Sequence, residues 1–177
     1  MNTSFYTKIT NGKAAKSFRD GNKTFVMNHP EHMDELTKIA FNIPDKNHHK
    51  AFWVLELICE EDCSCFLPYV DSFCKIIKDY TKDHTKRPVS RICMFLVNSK
   101  KIHLTKEQEQ FIIENCFDWL INDEKVAVKA YAMKTLYKLS QRNNWIIPDL
   151  KQIITTDYPN QSAGFKACTK EILKKIK

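Results

Sequence analysis

The stretch DEKVAVKAYAMKTLYKL, residues 123–139, decides the fold. Val128, Ala132, Thr135, Leu136 and Leu139 recur at i, i+4, i+7, i+8 and i+11, the spacing of one face of an α-helix. Lys125, Lys129, Lys134 and Lys138 fall off that stripe. Small residues at its centre let a neighbouring helix approach closely. Asp123 is placed to cap the helix, its carboxylate accepting from the first unpaired backbone N–H groups. The pattern returns as Phe165, Lys166, Thr169, Ile172, Leu173 and Ile176. The period is about 37 residues, and a period in that range marks an array of helical repeats.

Outward from this stretch, other helices follow from periodicity and punctuation. Thr105-Lys-Glu-Gln108 has capping-box spacing and opens a helix carrying Phe111, Ile112, Cys116, Trp119 and Leu120. Upstream, Val89 to Asn98 reads as a helix holding Ile92, Cys93, Phe95 and Leu96, preceded by a polar loop from Asp79 to Arg87. Pro68 fits the first turn of a helix with Val70, Phe73, Cys74 and Ile77. Lys50 to Glu60 is helical, with Ala51, Val54, Leu55 and Ile58 on one face. Pro30 opens a helix with Met33, Leu36, Ile39, Ala40 and Ile43, and Pro44 closes it. Pro148 starts another, and Tyr158-Pro159 ends it before the last, from Ser162 onward. Residues 1–28 carry a weak signal and read as an atypical N-terminal cap, with repeats over 29–177, in a single domain. No segment alternates with period two, so no sheet is expected.

Composition agrees with helices. The 177 residues include only 3 Gly, too few for turn-rich β architecture or a glycine-rich phosphate loop. The first ten residues are polar and read as no signal peptide. The longest apolar run, Ile92 to Val97, is far below the ~20 residues a membrane span needs. Seven Cys is an odd number, and most lie in apolar stripes, which points to free thiols in the reducing cytoplasm. The net charge of +7 suits an acidic partner or a nucleic acid.

Aligned on the repeat, Trp53, Arg91, Lys129 and Lys166 occupy one column, with Asp45, Asp83, Asp123 and Asn160 in the loops before them. At Asp123, Val128-Lys129, Ala132, Thr135-Leu136 and Leu139 the chain resembles the second helix of the HEAT/armadillo-like helical repeat family. Phe165-Lys166, Thr169, Ile172-Leu173 and Ile176 match well, Ser90-Arg91 in part, and Trp53 replaces the basic residue. The resemblance spans roughly residues 30 to 177. It implies an all-α fold, a short right-handed α–α superhelix of about four helix pairs. The segments WVLELICEE, RPVSRIC, CFDWLINDEKVAVKAYAM and DYPNQSAGFKA also resemble a group of small bacterial HEAT-like proteins, often labelled adenylosuccinate lyase. The catalytic loop of that enzyme family, S-S-x-M-P-x-K-x-N, has no counterpart in this chain, so the label carries no site residue here.

Candidate chemistry is thin. Cys59, Cys63, Cys65 and Cys74 cluster near His48 and His49, but their spacing is not that of paired zinc ligands. Glu60-Glu61-Asp62 follows an apolar helix and reads as a solvated acidic end. Trp53, Trp119, Trp145 and Tyr131 have faces able to stack on a base, and Asp118-Trp119 is a local imitation of the aromatic–Asp pairing of related alkylation-repair folds. Trp119, however, falls in its helix's apolar stripe. No Ser-His-Asp, H-E-x-x-H, Walker A or G-x-G-x-x-G pattern is present. No catalytic residue, cofactor or metal is therefore expected.

The binding candidates are the basic column and its neighbours: Arg91, Lys129, Lys134, Lys166 and Lys170. Two readings of the column stand side by side. In one, its cations form an inter-repeat ladder with the loop acids and amides. In the other, they form a stripe for phosphates or an acidic protein segment. The expected function is a non-enzymatic interaction module for another, acidic protein. The alternative is nucleic-acid binding of the alkylation-repair kind.

Overall fold

The stripe at 128–139 lies on a helix, Val126–Ser140, and Val128, Ala132, Thr135, Leu136 and Leu139 are all buried there. A computed structural model describes residues 3–12, 14–156 and 158–176. The expectations that touch Met1, Asn2, Lys13, Asp157 and Lys177 lie outside the described residues. In chain order the helices are α1 (Thr3–Thr10), α2 (Lys16–Asn28), α3 (Met33–Phe41), α4 (His48–Glu61), α5 (Val70–Ile76), α6 (Asp83–Asn98), α7 (Lys106–Ile121), α8 (Val126–Ser140), α9 (Ile146–Thr156) and α10 (Ala163–Lys175). Short 3-10 turns occupy Pro30–His32, Cys63–Tyr69, Ile77–Asp79 and Tyr158–Asn160. No strand occurs among the described residues.

Two layers result. The second helices of the pairs, α4, α6, α8 and α10, pack side by side. The first helices lie against them, with α3 on α4, α7 on α8 and α9 on α8, while α5 and α9 flank α7. α2 packs on α4, extending the second-helix layer by one. Each helix buries only one stripe, so the stack is what completes the core. One continuous cluster of buried side chains runs from Phe5 to Ile172. Ala132 is fully buried, and Ala130, also on α8, is half-buried.

Buried polar groups are satisfied within single helices and across the joints between repeats. Thr135 Oγ1 donates to the Tyr131 carbonyl at 2.8 Å, so its hydroxyl is satisfied within α8. His48 Nδ1–H donates to the Asp45 carbonyl at 2.6 Å. That leaves Nε2 to accept from the Thr85 hydroxyl at 3.0 Å, which ties α4 to α6. Tyr80 donates to the Ala40 carbonyl at 3.1 Å, and burial pushes its phenol up.

Several boundaries differ from the sequence expectation. The capping box at Thr105 and Gln108 is present with both of its bonds. Asp123, by contrast, does not cap α8; the N-cap is Lys125, which makes no side-chain cap bond. Acids at this joint pair with lysines of the other repeat, Glu124 with Lys86 and Asp83 of α6 with Lys125, the latter at 3.9 Å. The expected polar loop 79–87 is helical from Asp83, and Pro88 lies inside α6. Pro68 sits in the 3-10 turn ahead of α5, not in α5 itself. The helix at 30 opens as a 3-10 turn and its α-helical part ends at Phe41, leaving Ile43 to pack from the loop.

Candidate functional site: the cationic column

Lys129 and Lys166 lie in the first turns of α8 and α10, whereas Arg91 lies mid-way along α6, because that helix already begins at Asp83; the structure gives each a different environment. Arg91 is the most engaged. Its Nη1 meets Glu56 Oε1 at 3.0 Å, and its Nη2 donates to Glu60. Both carboxylates belong to α4, one helical turn apart, so they face the two prongs of the guanidinium together. Burial works against the Arg91 charge, but the hydrogen bond and charge of Glu56, with Tyr131 and Glu60, outweigh it and its pKa is raised. The guanidinium also lies 4.9 Å from the Phe95 ring centroid and 5.9 Å from that of Tyr131.

Lys166 is engaged locally. Its Nζ donates to the Pro159 carbonyl at 2.9 Å and sits 6.0 Å from the centroid of Tyr158. Lys129 is half-buried and has no ion pair among the described residues. Its ammonium lies 5.9 Å from the Phe165 ring centroid and lines a cleft of about 420 Å³. Lys134 and Lys170 are exposed on α8 and α10 and have no ion pair among the described residues. The column is thus divided: two members are committed to protein atoms, and Lys129, with its neighbours Lys134 and Lys170, is not.

Among the described residues, the aligned acids Asp45, Asp83 and Asp123 make no ion pair with the column. Asp83 faces Lys125, and Asp45 accepts from the Asn47 backbone N–H at 2.8 Å. Asp123 lines the same cleft as Lys129. The cross-repeat ion pairs instead use Lys23–Glu61 at 2.6 Å, Lys101–Asp62 at 2.7 Å, Lys86–Glu124, and Arg91 with Glu56 and Glu60. Lys23 and Glu61 are 38 positions apart, as are Lys86 and Glu124. That spacing is one repeat, a signal present in the sequence but off the aligned column. The acidic run at the end of α4 therefore gives each carboxylate its own cation: Glu60 to Arg91, Glu61 to Lys23, Asp62 to Lys101. The Lys101 bond first, then the Ser64 N–H, holds Asp62 well below the usual carboxylate range.

The other candidates settle into the fold. Trp119 is buried in the core, and Trp145 is exposed beside Phe117 at 6.3 Å. All seven cysteines are free thiols, and Cys65 alone is exposed. Cys63 donates to the Cys59 carbonyl at 3.0 Å, and burial pushes the Cys74 thiol up to about 12. Among the described residues, no group of three or more His, Cys, Asp or Glu side chains is arranged to hold a metal ion.

Sequence reasoning missed a cluster of imidazoles. The His49 and His84 rings are 4.3 Å apart, with Trp53 4.9 Å from His49. Only the adjacency of His48 and His49 in the sequence hinted at it.

A family model described as HEAT repeat domain matches residues 18–176 of the chain. No curated protein and no solved structure matches it.

Proposed function

The chain belongs to the HEAT repeat domain family, and from that premise we propose that it is a non-enzymatic scaffold that binds an acidic protein partner in the cytoplasm. The observation that carries this reading is the division of the column. Arg91 and Lys166 are held by protein atoms, whereas Lys129, Lys134 and Lys170 stand on α8 and α10 with no ion pair among the described residues. Spread over a stacked array, several weak charge contacts can act together. The net charge of +7 would speed encounter with an acidic surface. Seven free thiols suit a reducing compartment. No helix among the described residues is long and apolar enough to cross a membrane.

The test compares wild-type protein with the triple variant Lys129→Ala, Lys134→Ala, Lys170→Ala. Cross-linked capture from cell extract should yield a protein with an acidic contact segment, and the triple variant should lose it. The same two proteins are titrated with a DNA duplex over a range of salt. Tight duplex binding, with a log–log salt slope that falls by about one unit per removed lysine, would make the protein a nucleic-acid binder instead.

A further inference from the structure

The turn joining α7 to α8 and the turn joining α9 to α10 stand next to each other, one repeat apart, and the cleft of about 420 Å³ lies between them. Leu120, Ile121, Ile153 and Phe165 form its apolar walls, and Asp123 and Lys129 bring one charge of each sign. Ile121 is 67% exposed, the most exposed large apolar side chain among the described residues. An exposed branched side chain on the rim of a cleft offers a partner apolar area whose removal from water is favourable. Lys129 adds a half-buried ammonium with no ion pair among the described residues, and partial burial makes a carboxylate placed against it worth more than one at open surface.

Those features select an occupant. A phosphate group would gain from Lys129 but brings neither a donor for the Asp123 carboxylate nor apolar cover for Ile121. A polypeptide can satisfy both. An acidic side chain faces Lys129, a backbone N–H donates to Asp123, and an apolar side chain covers Ile121 and fills the volume. The size also fits, because a cavity of a few hundred Å³ accommodates one or two large side chains. We propose that this cleft docks a partner segment in which a large aliphatic residue enters between the two turns and a neighbouring Asp or Glu pairs with Lys129. The proposal rests on the scaffold reading and names its binding site.

The experiment is a displayed library of random heptapeptides selected against the full chain, with enriched peptides re-measured on Ile121→Asp, Lys129→Glu and, as a control outside the cleft, the exposed Lys78→Glu. Enriched peptides should place Asp or Glu beside Leu, Ile, Val or Met. Their affinity should fall about tenfold on Ile121→Asp, the loss of about 1.4 kcal/mol, and stay unchanged on Lys78→Glu. A second selection on Lys129→Glu should return Lys or Arg in place of the acid. Such a reversal cannot come from unfolding. Peptides that lack the acid, or that bind the two cleft variants as well as wild type, would overturn the cleft while leaving the scaffold reading standing. Enrichment of no peptide would overturn the cleft as well. The scaffold reading itself fails only if the extract capture described above returns no partner that depends on the lysines.

Discussion

The indole N–H of Trp53 on α4 donates to the main-chain carbonyl of His84 on α6, 3.3 Å away. That carbonyl would ordinarily receive the N–H of the residue four positions on, which is Pro88 and has none. One repeat thus supplies the donor that the next repeat's proline removes. Trp53 thus keeps a donor in a column otherwise basic: its indole N–H serves a carbonyl of α6, as the Lys166 ammonium serves that of Pro159.

Trp53→Phe should lower stability by about 0.5–1.5 kcal/mol, the net worth of the lost hydrogen bond. In a Pro88→Ala background the backbone N–H restored at position 88 can reach the His84 carbonyl, so the same substitution should cost much less. Urea melts of the four proteins measure the coupling. Strict additivity would show that the two residues act independently.

Arg91 and Glu56 form the other strong joint between α4 and α6. The Glu56 side chain is only 2% exposed and that of Arg91 is 21% exposed, so Arg91→Ala leaves a buried carboxylate without its cation. The expected cost is about 3 kcal/mol. Arg91→Met combined with Glu56→Leu should recover most of it, because the desolvation of both charges is removed along with their attraction. A double variant as unstable as Arg91→Ala would contradict this.

The imidazole cluster makes stability depend on pH. Burial first, then the neighbouring His84, lowers His49 from 6.5 to about 4. His84 is lowered too, by burial first and then by His48 and Lys82, with Asp83 opposing. Lys50 faces His49 as a further positive neighbour. Groups with a depressed folded pKa bind protons more readily in the unfolded chain. Stability is therefore full above pH 6.5 and is lost as pH falls toward 4. Thermal melts at stepped pH should show this decline, and His49→Gln should flatten it. An unchanged pH profile in the variant would place the proton uptake elsewhere.

Much of the helix pattern was legible because it is local. The α8 stripe and the Thr105–Gln108 capping box depend only on neighbours within one or two turns. The errors came from contacts between repeats. Asp123 looked like a cap, yet α8 begins behind Lys125, which faces Asp83 of α6, while Glu124 serves Lys86. Residues 79–87 looked like a polar loop, yet the chain is helical from Asp83, and Trp53 makes Pro88 tolerable inside α6. The column was visible as an alignment, but which of its cations would be committed depended on Glu56 and Glu60 lying on the adjoining helix. The cleft was not visible at all. Ile121 continues the apolar run Trp119-Leu120, and only the packing of two turns shows that it stays exposed.

Thermal melting of Lys129→Ala beside Arg91→Ala tests most directly whether the column divides into structural and available cations. Arg91→Ala should lose much of its stability, while Lys129→Ala should melt within about 0.5 kcal/mol of wild type, as surface changes away from any joint do. A loss in Lys129→Ala as large as that in Arg91→Ala would mean that Lys129 holds the stack together and is not poised for a partner.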